Sequence, residues 1–212
     1  MKRLISTLCL IMSLACGSLS VCWSDDFQTG MEAYKKGDFA NAIKEWILLA
    51  EDGDEKAQYF LGLIYYKGKG VPQDYKTALK WFNLSAEQGN KVAQYNLGIM
   101  YSFGLGVIPD YKIALKWYNL SSEQGNALAQ YNLGRLYYLG NGVKEDMVYA
   151  HMWINLASLN GFEMAEEINA LLIQLMTPSQ IEEAERLARE CVKKNYKGCF
   201  EHKNNDSNLT YP

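Results

Sequence analysis

Acid–base, nucleophilic or metal chemistry near neutral pH draws on histidines, activated cysteines or clustered ligands. This chain offers few of them. It has two histidines. His151 stands where the chain reads Leu115 thirty-six residues earlier and Leu79 seventy-two earlier, so it reads as a partly buried helix residue rather than a base or ligand. His202 lies in a polar tail. No Ser/His/Asp arrangement, His-x-x-x-His pair or Cys-x-x-Cys pair is present, which leaves hydrolase and zinc chemistry without support. Gly68-Lys69-Gly70 lacks the Gly-Lys-Ser/Thr ending of a phosphate-binding loop and reads as a turn. The expectation is a non-enzyme with no metal and no cofactor.

Five cysteines remain to be placed. Cys9, Cys16 and Cys22 lie in a leader: Lys2 and Arg3, then the apolar run Leu4 to Ala15, then small residues. That is the layout of a secretory signal peptide, too short to span a bilayer comfortably. Cleavage is expected after Ser24, with Ser20 as the alternative. Lipidation at Cys16 would make the chain an envelope lipoprotein, although Ser13 stands where an apolar residue is expected. An exported chain left with Cys191 and Cys199 is expected to join them as a disulfide; two free thiols are the alternative. The nine-residue ring would contribute roughly 2.5 kcal/mol.

The net charge of -3 and the absence of any Lys/Arg cluster argue against a nucleic-acid partner. Apolar residues make up 49%, enough to fill a core.

Few reactive groups and many aromatic ones point to packing, and the packing is periodic. Ala57-Gln58-Tyr59-Phe60-Leu61-Gly62, with Tyr65, Gly68, Gly70 and Asp74, returns thirty-six residues later as Ala93-Gln94-Tyr95-Asn96-Leu97-Gly98, with Tyr101, Gly104, Gly106 and Asp110. It returns again as Ala129-Gln130-Tyr131-Asn132-Leu133-Gly134, with Tyr137, Gly140, Gly142 and Asp146. A period in this range marks a stacked repeat. Each unit reads as two helices. Ala57, Leu61, Ile64 and Tyr65 share one face of the first, and Ala78, Trp81, Phe82 and Ser85 one face of the second. Trp117, Tyr118 and Trp153 continue the inward series. Gly62, Gly98 and Gly134 sit inside helices at a cost of about 1 kcal/mol each against alanine, so the second helix is expected to approach closely there. Asp38, Asp74, Asp110 and Asp146 are expected to cap the second helices.

Residues 25–54 hold a shortened unit, 55–162 three full ones, and 163–200 an atypical last unit whose closing helix begins at Thr177-Pro178-Ser179-Gln180. In that last unit Ala170 takes the glycine position. The closing helix is expected to cover the final repeat and show water a charged side, and the tail 201–212 to be loose.

The pattern Ala-Gln-Tyr-x-Leu-Gly-x-x-Tyr, Gly-x-Gly-Val, Asp, Ala-x-x-Trp and Glu-Gln-Gly resembles the Sel-1-like repeat family, relatives of the tetratricopeptide repeats. The resemblance covers about Phe27 to Phe162. It implies an all-α, right-handed α/α solenoid of helical hairpins with a C-terminal capping helix, residues 25–54 forming a tetratricopeptide-like hairpin. It further implies a monomeric scaffold that binds a protein or peptide on a concave wall, in the bacterial envelope or secreted. Some cysteine-rich members have been assigned penicillin-binding or β-lactamase activity. That alternative fits poorly here, because the repeats lack the cysteine pairs of that subgroup.

In tetratricopeptide-like stacking the first helices line the concave wall, and positions that differ between units are where specificity could be written. They are Phe60, Asn96 and Asn132; Leu63, Ile99 and Arg135; and Tyr66, Ser102 and Tyr138. Amides and aromatic rings in a shallow groove suit an extended peptide backbone.

Overall fold

The computed structural model describes residues 20–199, with side chains from Asp26 onward. The apolar leader with Cys16, and the tail with His202, lie outside the described residues. Ten helices and no strand are present among the described residues. The first begins at Ser20, ahead of the expected cleavage point. The chain divides into two compact units that meet in sequence at Asn90 and Lys91.

The first unit contains α1 (Ser20–Lys35), α2 (Phe39–Glu51), α3 (Glu55–Lys67) and α4 (Tyr75–Glu87). α1 pairs with α2 and α3 with α4, while α2 packs on α3. The second contains α5 (Lys91–Phe103), α6 (Tyr111–Ser122), α7 (Ala127–Leu139), α8 (Met147–Leu159), α9 (Glu163–Leu175) and α10 (Pro178–Lys193). Here α5 pairs with α6 and α7 with α8, and α6 packs on α7.

The caps explain why each second helix starts where it does. The Asp74 carboxylate accepts the amides of Lys76 and Thr77 at 3.0 and 3.1 Å. Asp110 accepts those of Lys112 and Ile113 at 2.8 and 3.1 Å, and Asp146 those of Val148 and Tyr149 at 2.9 and 3.1 Å. Each bond satisfies an amide that the first turn leaves without a partner. The cap residue also closes its loop, since the amide of Asp74 donates to the Tyr65 carbonyl at 3.0 Å. The same bond joins Asp110 to Tyr101 and Asp146 to Tyr137. Asp38 caps α2 through Asn41, and Thr177 forms a full capping box with Gln180 at the start of α10.

The mid-helix glycines mark the contact between paired helices. A Cβ on Gly62 would lie 2.6 Å from Phe82, and one on Gly98 would lie 2.4 Å from Tyr118. On Gly134 it would meet Ile154 at 2.4 Å and the Ala150 carbonyl oxygen at 2.9 Å. No side chain fits at those distances, so the second helix sits against bare backbone. Leu61, Leu97 and Leu133, beside these glycines, are fully buried; each contributes about 1.5–3 kcal/mol on leaving water. Trp81 and Trp153 are buried as expected. Trp117 is only half-buried; the fully buried ring of α6 is Tyr118, which lies under Gly98 as Phe82 lies under Gly62.

Polar side chains just past each second helix reach the first helix of the same pair at a repeating register. Gln88 donates to Gln58 Oε1 at 2.8 Å, Gln124 to Gln94 Oε1 at 2.9 Å, and Asn160 to Gln130 Oε1 at 2.8 Å. Thirty-six residues after Asn160 stands Tyr196, whose hydroxyl donates to Asn160 Oδ1 at 2.9 Å. The series therefore ends on a tyrosine in a turn rather than on another helix.

The last two helices do not pair as the others do. α9 and α10 both pack on α8 and have little contact with each other. Ala170 is accordingly exposed, and no helix crosses at the position that glycine takes in the full units. α10 turns Ala184, Ala188 and Cys191 inward and Glu183, Glu185, Arg186, Arg189 and Glu190 outward, the last five linked by ion pairs along its surface. Such exposed pairs add little stability each. No helix among the described residues is long and apolar enough to cross a membrane.

Candidate functional site

The nine variable positions separate into two groups, one per unit. In the first unit Phe60 is part of an aromatic cluster, with ring centroids 4.9 Å from Trp46, 5.8 Å from Tyr34 and 5.9 Å from Phe27. Its ring serves the core rather than an open wall. Tyr66 packs edge-on against Tyr75, and burial followed by that neighbour raises its phenol pKa. Leu63 is half-buried. Lys69, in the Gly68-Lys69-Gly70 turn, donates to the Tyr34 hydroxyl at 3.0 Å and lies over its ring, so its ammonium group is engaged within the fold.

In the second unit Asn96 is buried and donates to the Val92 carbonyl at 2.8 Å, within its own helix. It is buried, where an open wall position was expected. Ile99 packs against the core of this unit. Tyr138 is exposed. The remaining three come together: Ser102, Asn132 and Arg135 line one cleft formed by the end of α5, the start of α6 and the outer side of α7.

The floor of this cleft is Tyr118, whose hydroxyl accepts from Ser102 Oγ at 3.4 Å, with Leu136 beside it. Its apolar walls are Phe103, Tyr111 and Leu139, exposed by 64%, 40% and 53%. Those fractions matter because three large apolar side chains converge on one depression open to water, an arrangement that favours an occupant. Asn132 is held by donation from Nδ2 to the Leu128 carbonyl at 3.0 Å, and its Oδ1 accepts from Arg135 at 3.5 Å. Arg135 is exposed, with its guanidinium 5.9 Å from the Tyr131 ring centroid. Asn141 completes the rim. The start of α6 is braced from below, since a Cβ on Gly142 would lie 2.6 Å from the Tyr111 backbone.

The cleft has a volume of about 120 Å³. Sites for cofactors and drug-sized ligands run from roughly 300 Å³ upward. This one accommodates a single side chain. It holds an apolar surface, amides, a hydroxyl and one guanidinium, which recognise and bind but supply no nucleophile or general base.

Sequence reasoning missed Phe103, Tyr111, Leu139 and Asn141. A signal was available: Lys67, Phe103 and Leu139 occupy one position of the repeat and differ between units, as do Lys69, Leu105 and Asn141. These positions fall at and just beyond the end of the first helix, past Tyr66, Ser102 and Tyr138.

His151 is buried more deeply than expected, and neither ring nitrogen has a hydrogen-bond partner. Burial lowers its pKa, with Glu185 acting weakly the other way. Its place is in the core of the second unit. Cys191 and Cys199 are joined as a disulfide. The bond holds a turn in which Asn195 and Tyr196 adopt left-handed backbone angles and the Gly198 amide donates to Glu123 at 3.0 Å. Among the described residues no group of three or more His, Cys, Asp or Glu side chains is placed to hold a metal ion.

Paired helices repeating every thirty-six residues define a helical-repeat fold. The family model for the Sel1 repeat matches residues 55–90, 91–126 and 127–162, and the chain belongs to the Sel1 repeat family. Sel1 repeats are a non-catalytic repeat fold typically used for protein interactions. The chain is similar to the solved structure of a Sel1 repeat protein from Oxalobacter formigenes: 28% identity, TM-score 0.65, 80% of this chain and 77% of that one. It is also similar to c5321, a protective antigen present in uropathogenic Escherichia coli strains and displaying an SLR fold. There the identity is 25%, the TM-score 0.58, and 90% of this chain spans half of that one. No curated protein matches the chain significantly.

Proposed function

We propose that this protein is an exported, non-catalytic interaction scaffold of the bacterial cell envelope or its surroundings, gripping a protein or peptide partner on the face carried by its first helices. One observation carries the reading: Ser102, Asn132 and Arg135, chosen as variable positions of the repeat, converge on one cleft with exposed Phe103, Tyr111 and Leu139. Export is supported by the layout of the leader and by the Cys191–Cys199 disulfide, a bond favoured in oxidising compartments. The similarity to a bacterial protective antigen is in keeping with a surface or secreted role.

A photo-crosslinking side chain placed at Leu139 or Asn141, and for comparison at Lys76 or Lys80 on α4, tests the reading in the native host. Adducts of defined mass are expected from the cleft positions and not from α4. Equal labelling from the cleft and from α4, or none from the cleft, would refute it.

A further inference from the structure

The cleft specifies the chemistry of what it holds more closely than the fold does. Its volume of about 120 Å³ suits one ring or one branched side chain. A dry cavity of comparable size accepts benzene. Phe103, Tyr111 and Leu139 supply the apolar contact. Among the described residues that line the cleft one is charged, Arg135 at the rim, and none is a carboxylate.

Arg135 is under-used within the fold. Among the described residues its hydrogen bonding amounts to one 3.5 Å donation to Asn132 Oδ1, and none of their carboxylates forms an ion pair with it. Asn132 is itself tethered to the Leu128 carbonyl, which holds its oxygen toward the guanidinium and orients the fork without neutralising it. A guanidinium presents five donors in a plane that matches a carboxylate in bidentate fashion, and a charge-assisted pair of that kind is stronger than a neutral one. An unpaired arginine beside an apolar depression is complementary to a large apolar side chain with a carboxylate next to it.

We infer that the partner segment presents a Phe-Asp-like pair: its apolar side chain enters between Phe103, Tyr111 and Leu139, and its carboxylate lies on Arg135. This inference rests on the interaction reading above and adds the chemistry of the partner to it. Neighbouring Asn141 and Ser102 are placed to meet the peptide backbone or ordered water.

The test is an amide-resolved NMR titration of the full mature chain with the peptide acetyl-Gly-Phe-Asp-Gly-amide. Shifts are expected at the end of α5, the start of α6 and along the outer side of α7. Affinity should fall about tenfold, the worth of one charge-assisted hydrogen bond, when the peptide carries Asn for Asp or the protein carries Arg135→Gln. Arg135→Lys should restore part of it, and Ala for Phe in the peptide should abolish the shifts. Equal binding of the Asp and Asn peptides, shifts confined to other surfaces, or no binding at millimolar peptide would overturn the inference. So would concentration-dependent shifts at the cleft without peptide, which would make a second copy of the chain its occupant. If crosslinking from Leu139 persists in Arg135→Gln, the scaffold reading stands and only the carboxylate assignment fails; if crosslinking is absent in the native chain, both fail.

Discussion

Gly62→Ala isolates the steric basis of the helix pairing. In an isolated helix this change adds about 1 kcal/mol of stability, because alanine is the better helix former. In this fold the new Cβ would sit 2.6, 2.7 and 3.1 Å from three ring carbons of Phe82. That ring is fully buried in the first unit and cannot swing into water. Overpacking of this kind costs about 1–3 kcal/mol. Taking the upper half of that range, since three contacts are affected, and subtracting the propensity gain leaves a net loss of about 1–2 kcal/mol. For a chain of this length that corresponds to a fall in Tm of about 2–8 °C. The decisive measurement is a double-mutant cycle by urea unfolding. Phe82→Ala alone should cost about 3–5 kcal/mol through the cavity it opens. Added to that background, Gly62→Ala should reverse sign and return about 1 kcal/mol, since the obstructing ring has gone. If Gly62→Ala costs the same in both backgrounds, or stabilises the native protein, close approach of α4 is not why glycine stands there.

Two further outcomes follow from buried groups of the second unit. His151 titrates below its ordinary value in the fold, so falling pH favours proton uptake by the unfolded chain; stability should be full above about pH 6.5 and decline as pH drops toward the folded value. His151→Leu, the residue at both equivalent positions, should flatten that decline in thermal melts, and an unchanged slope would place the titrating group elsewhere. Replacing Cys191 and Cys199 by serine should cost roughly 2.5 kcal/mol and release the Tyr196 turn from Asn160 and Glu123, visible as loss of amide protection at Gly198. Identical urea midpoints for the two forms would show that the bond adds nothing to the docked turn.

Much of the fold was legible because its determinants are local or strictly periodic. The Asp caps act within three residues, and the spacing of Leu61, Leu97 and Leu133 needs no knowledge of neighbours to place them on a buried face. The glycines betrayed a close approach because their cost inside a helix has no local benefit. The binding surface was legible only in part. Asn96 and Asn132 occupy the same repeat position, yet one is buried and the other lines the cleft. Phe60 completes the set and lies in an aromatic cluster with residues contributed by α1 and α2.

From its residues alone the chain announces paired helices, their period, their caps, the crossing glycines and a cysteine pair to be joined. Those features depend on one helix turn or on exact repetition. Which variable side chains share a cleft, that α9 and α10 both settle on α8, and that Tyr196 closes the polar series on Asn160 were settled by tertiary contact. The physical reason is that burial and hydrogen-bond partners are supplied by helices some thirty residues away, so identical positions in successive repeats meet different neighbours.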